Sequence, residues 1–143
     1  MILFLDTSAL VKLYVNESGS EALSERVENT LVAVTPLTYG EIYATFARRL
    51  REGSLGSEEH EKLCANFEND WPTLLQIPFS REVFAQVPGL CRRNPLRGAD
   101  AMQMACSLML QGEGVEVLFV ANDQQLLTAA STEGLAVFDP VGA

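Results

Sequence analysis

Four acidic residues stand where a carboxylate contributes little to folding: Asp6 in Phe4-Leu5-Asp6-Thr7-Ser8, Glu41 in Tyr39-Gly40-Glu41-Ile42, Asp100 in Arg97-Gly98-Ala99-Asp100-Ala101, and Asp123 in Val120-Ala121-Asn122-Asp123. Two of them follow apolar runs that read as buried strands, and two sit on apolar helices. If they converge they make a site for a hard cation such as Mg²⁺ or Mn²⁺, which takes carboxylate and water oxygens. Phosphoryl transfer is the chemistry most often built on such a site. Each acid also has a plainer reading. Asp6 and Asp123 could be turn or helix-capping residues, Asp100 could complement a first-turn dipole, and Glu41 could be a surface glutamate on a helix that turns from core to solvent. Taken together, Glu41 and Asp100 near helix N-termini would offset part of the mutual repulsion of four carboxylates, and a divalent cation would relieve the rest.

Other chemistries have little to build on. Cys64, Cys91 and Cys106 are far apart and form no C-x-x-C pair, which leaves a zinc site or a disulfide framework unsupported. The single histidine, His60, lies in the polar run Ser57-Glu58-Glu59-His60-Glu61-Lys62, so serine–histidine or cysteine–histidine catalysis would depend on one exposed residue. The chain of 143 residues, 48% hydrophobic and 20% charged, reads as one globular domain over 1–143. No apolar run reaches membrane-spanning length, and Met1-Ile2-Leu3-Phe4-Leu5 meets an acid before it can form a signal segment, so a cytoplasmic protein is expected. The formal net charge of −9 argues against broad adhesion to a polyanion. Its ten basic residues are uneven, with Arg48, Arg49 and Arg51 in one cluster and Arg92, Arg93 and Arg97 in another. Each cluster suits either a solvated helix C-terminus or a phosphate.

The acids must be positioned by strands and helices in alternation. Met1 to Leu5 is a continuous apolar run, the pattern of a strand covered on both faces. A helix is expected from about Ala9 to Val15 with Thr7 or Ser8 as its cap, a second from about Ser20, and a strand over Leu31–Val34. Pro36 suits the first turn of a longer helix whose core face carries Ile42, Phe46 and Leu50, ended by Gly53. A helix from Ser57 to about Asn69 follows, then a short edge strand within Leu74–Ile77. A helix from Arg81 should be interrupted or ended near Pro88-Gly89, and another should run from about Gly98 to Gly112. Val115 to Ala121 is the second clear strand, Asn122 caps a helix to about Thr132, and Leu135–Phe138 is the last strand. Strands separated by helices imply βαβ units and a parallel sheet, an α/β fold. Ligands of such sheets sit beyond the carboxyl ends of the strands, where Asp6 and Asp123 fall.

These residues, in this order, resemble the PIN-domain ribonucleases and, within them, the VapC-like toxins of toxin–antitoxin pairs. The resemblance rests on Leu5-Asp6-Thr7-Ser8-Ala9-Leu10-Val11-Lys12-Leu13-Tyr14, on Glu41, on Arg97-Gly98-Ala99-Asp100-Ala101 with Ala105, and on Asn122-Asp123-Gln124-Gln125-Leu126 with Ala129, Ala130 and Gly134-Leu135. It implies a three-layer α/β/α domain with a central parallel sheet and an endoribonuclease that cleaves RNA by metal-activated water, using Mg²⁺ or Mn²⁺. It places the catalytic and metal-binding acids on Asp6, Glu41, Asp100 and Asp123, with Ser8 as a supporting polar residue. Beside the resemblance, Thr7 is a second candidate supporting polar residue, and Lys12, Arg92, Arg93 and Arg97 are the candidate RNA contacts. It further implies a homodimer and a small antitoxin partner. Where many relatives carry histidine, this chain has Gln103, which is expected to affect packing or substrate contact and leaves the acids intact. A housekeeping RNA-processing nuclease and a catalytically silent binding module share the same fold. A haloacid-dehalogenase phosphatase would need a second aspartate where Ser8 stands, and a response-regulator receiver would need a lysine late in the chain, whereas none follows Lys62.

Overall fold

Strand β1 (Ile2–Leu5) is wholly apolar because both of its faces are covered. Leu3 and Leu5 enter one hydrophobic core and Phe4 enters another, alternating across the pleat. Strand β4 (Val117–Val120) repeats the pattern, with Val117 and Phe119 on the Phe4 side and Leu118 and Val120 on the other. The two strands pair in parallel with Phe4 opposite Phe119, and these rings stack with centroids 6.0 Å apart. Fully burying a phenylalanine contributes about 1.5–3 kcal/mol, so this pair at the sheet centre is a substantial anchor.

The computed structural model describes residues 1–142. With β2 (Leu31–Val34), β3 (Leu75–Gln76) and β5 (Ala136–Phe138), the strands form one sheet in the order β3-β2-β1-β4-β5, every pair parallel. Helices α1 (Thr7–Val11), α2 (Ser20–Val27), α3 (Leu37–Arg51) and α4 (Ser57–Asp70) cover the Leu3/Leu5 face through Leu10, Leu23, Ile42, Phe46 and Phe67. Helices α5 (Arg81–Arg93), α6 (Gly98–Gly112) and α7 (Gln124–Thr132) cover the Phe4 face through Val83, Leu90, Met104, Leu126 and Ala130. The result is the expected three-layer α/β/α arrangement. The chain builds outward from β1 to β2 and β3, then returns to the other side of β1 with β4. The β1/β4 boundary is therefore the topological switch point, where the crossovers diverge and leave a crevice beyond the strand ends.

Three elements differ from expectation. Helix α5 runs unbroken through Pro88-Gly89. Pro88 lacks the N–H that the Phe84 carbonyl would accept, but Phe84 is 54% exposed, so the missing bond falls on the solvent side of the helix. A Cβ on Gly89 would lie 2.8 Å from Arg93 Nη1, so the glycine is the seat across which that guanidinium lies. Helix α1 stops at Val11, four residues short of the expected end. The cap of α7 is Asp123, one residue after Asn122, and its side chain accepts from the N–H groups of Gln125 and Leu126. No helix among the described residues is long and apolar enough to cross a membrane.

Candidate active site

Asp6 follows β1 directly, and its backbone N–H donates to Val120 O of β4, which fixes it at the switch point. Asp123 lies three residues beyond β4. Asp100 occupies the third position of α6, and Glu41 the fifth of α3. The two strand ends and two helices, drawn from both layers, meet in one open cleft of about 710 Å³. Its lining includes Asp6, Glu41, Asp100 and Asp123 together with Thr7, Ser8 and Asn122.

Each of the four carboxylates is fixed through one oxygen. Ser8 Oγ donates to Asp6 Oδ2 at 2.7 Å, and Thr7 Oγ1 donates to Glu41 Oε1 at 2.7 Å. The Arg97 N–H donates to Asp100 Oδ2 at 3.4 Å, and Asp123 Oδ1 accepts from Gln125 and Leu126 at 2.9 and 3.2 Å. Among the described residues, the second oxygen of each carboxylate has no protein donor. Capping and site chemistry are thus not alternatives for Asp100 and Asp123. One oxygen terminates a helix, and the other is left for a ligand.

Thr7 has one hydroxyl proton, and it goes to Glu41. The Thr38 hydroxyl, 3.2 Å from Thr7 Oγ1 and buried with it, must therefore donate to Thr7, and this relay orients Glu41 from beneath. Neither the relay nor Thr38 was legible in the sequence, because Thr38 carries no motif and meets Thr7 only through the fold.

Charge couples three of the acids. The Asp100 carboxyl is held above its ordinary range, first by burial and then by the negative charges of Asp6 and Asp123, against a partial offset from the Arg97 N–H. Among the described residues no three carboxylate, imidazole or thiol groups stand close enough to cage an ion outright. The site still fits Mg²⁺ or Mn²⁺. Its donors are all oxygens, and Mg²⁺ typically keeps several waters and is held by one or two carboxylates rather than by an all-protein cage. The repelling carboxylates with free oxygens are the observation that such an ion answers.

The basic residues sort differently from the expectation. Arg97, the N-cap residue of α6, lines the cleft. Arg92 and Arg93 do not. Arg93 pairs with Glu133 through its Nε at 3.1 Å and Nη2 at 2.8 Å, turned toward α7 and away from the acids. Lys12 lines the cleft, but its side chain is only 5% exposed and its Nζ is 3.2 Å from Glu17 Oε1. Arg48 and Arg49 of α3 join the lining, and Arg49 Nη2 lies 3.0 Å from Glu17 Oε2. Gln103 is 1% exposed in the core of α6 and does not line the cleft, so its effect is on packing.

An acidic cleft at the switch point of an open parallel α/β sheet, with oxygen donors only, has the make-up of the metal-assisted phosphoryl-transfer class. Comparison with known proteins narrows it. Residues 3–131 match the PIN domain family model. The chain is 29% identical over 137 residues to a protein named Ribonuclease VapC45 from Mycobacterium tuberculosis, covering 95% of this chain and 94% of that one. Its fold is similar to the crystal structure of FitAcB from Neisseria gonorrhoeae, with a TM-score of 0.70 at 19% identity over 98% of both chains. A toxin–antitoxin complex from Klebsiella pneumoniae has a TM-score of 0.62 at 15% identity, over 96% of this chain and 97% of that one. The chain belongs to the PIN-domain family.

Proposed function

We propose that this chain is a divalent-metal-dependent endoribonuclease and the toxin of a toxin–antitoxin pair. The observation that carries the reading is the set of four carboxylates in one cleft, each with one oxygen anchored and one free. A full-length likeness to a protein named as a ribonuclease supports RNA as the substrate, and the fold likeness to a toxin–antitoxin complex supports a small antitoxin as the partner. A homodimer is part of the same reading.

Asp6, Asp100 and Asp123 would hold Mg²⁺ or Mn²⁺ through their free oxygens. When bound, the cation supplies Lewis-acid polarisation of a phosphodiester oxygen and eases deprotonation of water at neutral pH. Ser8 keeps the Asp6 carboxylate turned into the cleft. The Thr38–Thr7 relay holds Glu41 so that Oε2 can accept a proton from a water in the cleft. Arg97 sets a guanidinium beside the acids, where it can orient a phosphate by paired N–H donors.

The test is incubation of purified, antitoxin-free protein with a structured RNA such as tRNA, with Mg²⁺ or Mn²⁺ and with excess EDTA. Cleavage should require the metal, and Asp6→Asn should lower the rate at least about 100-fold, the scale on which losing one preorganised charge-stabilising group is felt. Equal cleavage in EDTA would refute the metal-dependent reading.

A further inference from the structure

The cleft has a second charged feature, on the wall built from the α1–α2 connection and α3. Glu17 receives Lys12 on Oε1 and Arg49 on Oε2, at 3.2 and 3.0 Å. One carboxylate thus answers two cations, and the trio keeps a single net positive charge in a chain whose formal net charge is −9. The trio is rigidly seated. Glu17 N–H donates to Ser20 Oγ at 2.9 Å, Ser20 Oγ donates to Val15 O at 3.1 Å, and Ser20 is buried. Gly19 has φ +91°, and a Cβ there would lie 3.0 Å from Pro140 Cβ, so the loop closes against the C-terminal segment in a shape only glycine allows without strain. Lys12 is almost fully buried, whereas Arg49 is 25% exposed, lines the cleft and spends one nitrogen on Glu17. A guanidinium has five N–H donors in a planar fork, so most of its donors remain for an anion.

We propose that Arg49, preset by Glu17 and Lys12, binds a phosphate of the RNA backbone adjacent to the one that is cleaved. Arg97 lines the cleft from the start of α6, on one face of the sheet, and Arg49 lines it from α3, on the other. A single strand lying across the cleft would be held at two phosphates, one from each layer. The guanidinium touches the phosphate. Lys12 and Glu17 are positioning residues that fix it and supply charge from beneath. This inference rests on the nuclease reading for the identity of the scissile phosphate, but the anion site stands on its own geometry.

The test is a pentanucleotide RNA in which each phosphate in turn is replaced by a neutral methylphosphonate, read by kcat/KM for cleavage and, in excess EDTA, by fluorescence anisotropy for binding. In the parent, one replacement flanking the scissile bond should lower kcat/KM and affinity about tenfold, as expected for one lost charge-assisted contact. In Arg49→Gln the same replacement should change either readout less than about twofold, because the partner is already gone. Arg49→Lys keeps a cation for Glu17, guards against a folding defect, and should restore part of the sensitivity. Glu17→Gln should raise KM with little change in kcat. If no flanking replacement matters in the parent, or if the loss is equal in Arg49→Gln, the trio only braces the loop and the proposal is wrong. A parent that cleaves nothing but loses binding at one phosphate in an Arg49-dependent way keeps this site and overturns the nuclease reading instead.

Discussion

Asp100 illustrates how a single carboxylate serves folding and chemistry at once. It accepts the backbone N–H of Arg97 at the start of α6, yet burial and the charges of Asp6 and Asp123 hold its carboxyl above the ordinary range. A raised folded-state pKa means that the folded protein binds the proton more tightly than the unfolded chain. Stability from this group is therefore greatest at acid pH and falls as pH rises from the ordinary aspartate value, about 4, through the raised one. Without metal the penalty is therefore larger at neutral pH than at pH 4. Asp100→Asn keeps an oxygen for the Arg97 N–H and removes the charge, so the metal-free variant should unfold at or above the parent's urea midpoint at pH 7. That advantage should shrink toward pH 4. Mg²⁺ should raise the parent's melting temperature more than the variant's, since only binding to the native state contributes to the shift. A variant that is less stable than the parent at both pH values, with no metal-induced shift in the parent, would make Asp100 a cap and nothing more.

At the scale of elements, the strands that carry the site were legible and the long-range ion pairs were not. The unbroken apolar runs ending at Leu5 and Val120 announce strands covered on both faces, and a strand's end in a parallel sheet points at the crevice, so Asp6 and Asp123 could be placed by pattern alone. Helix α5 misled because proline and glycine are weighed locally, while the helix is held by Val83 and Leu90 in the core beneath it. The surroundings of Arg93 were not legible for the related reason that a charge cluster says nothing of its partners. Arg93 finds Glu133 forty residues away, and Asn94 Nδ2 donates to the same carboxylate at 2.9 Å, which ties the end of α5 to the end of α7. The Glu133 carboxyl is held below its ordinary range by these hydrogen bonds, Arg93 first. Its contribution is therefore present at neutral pH and lost as pH falls through the lowered value. Arg93→Ala should leave RNA affinity unchanged by anisotropy and lower the urea midpoint slightly at pH 7, and by less as the pH falls below the ordinary glutamate range. Arg97→Ala should do the reverse, weakening RNA binding with little change in stability. Equal losses of affinity in the two variants would return Arg93 to the RNA-binding surface.

For the whole molecule, the question is how a chain of formal net charge −9 holds a polyanion. Its cations are few in the cleft. Arg97 and Arg49 are the guanidiniums placed to meet phosphates there, with Lys12 buried behind Glu17, and Arg48 sits at the margin in a loose 3.9 Å contact with Glu52. Affinity for a single strand falls with salt at a log–log slope of about −0.7 for each phosphate neutralised, so two to three contacts predict a slope near −2. The surrounding negative charge acts in the opposite sense. Salt screens repulsion between the acidic surface and RNA over roughly 10 Å at 0.1 M, which makes the observed slope shallower still. Binding of a short single-stranded RNA to Asp6→Asn, measured by anisotropy between 50 and 300 mM KCl at fixed Mg²⁺, should therefore give a slope of about −1 to −2. Arg49→Gln in that background should reduce it by nearly one contact's share. A slope steeper than about −4 would require more phosphate contacts than the cleft contains and would bring Arg51, Arg81 or Arg92, outside it, into the RNA-binding surface.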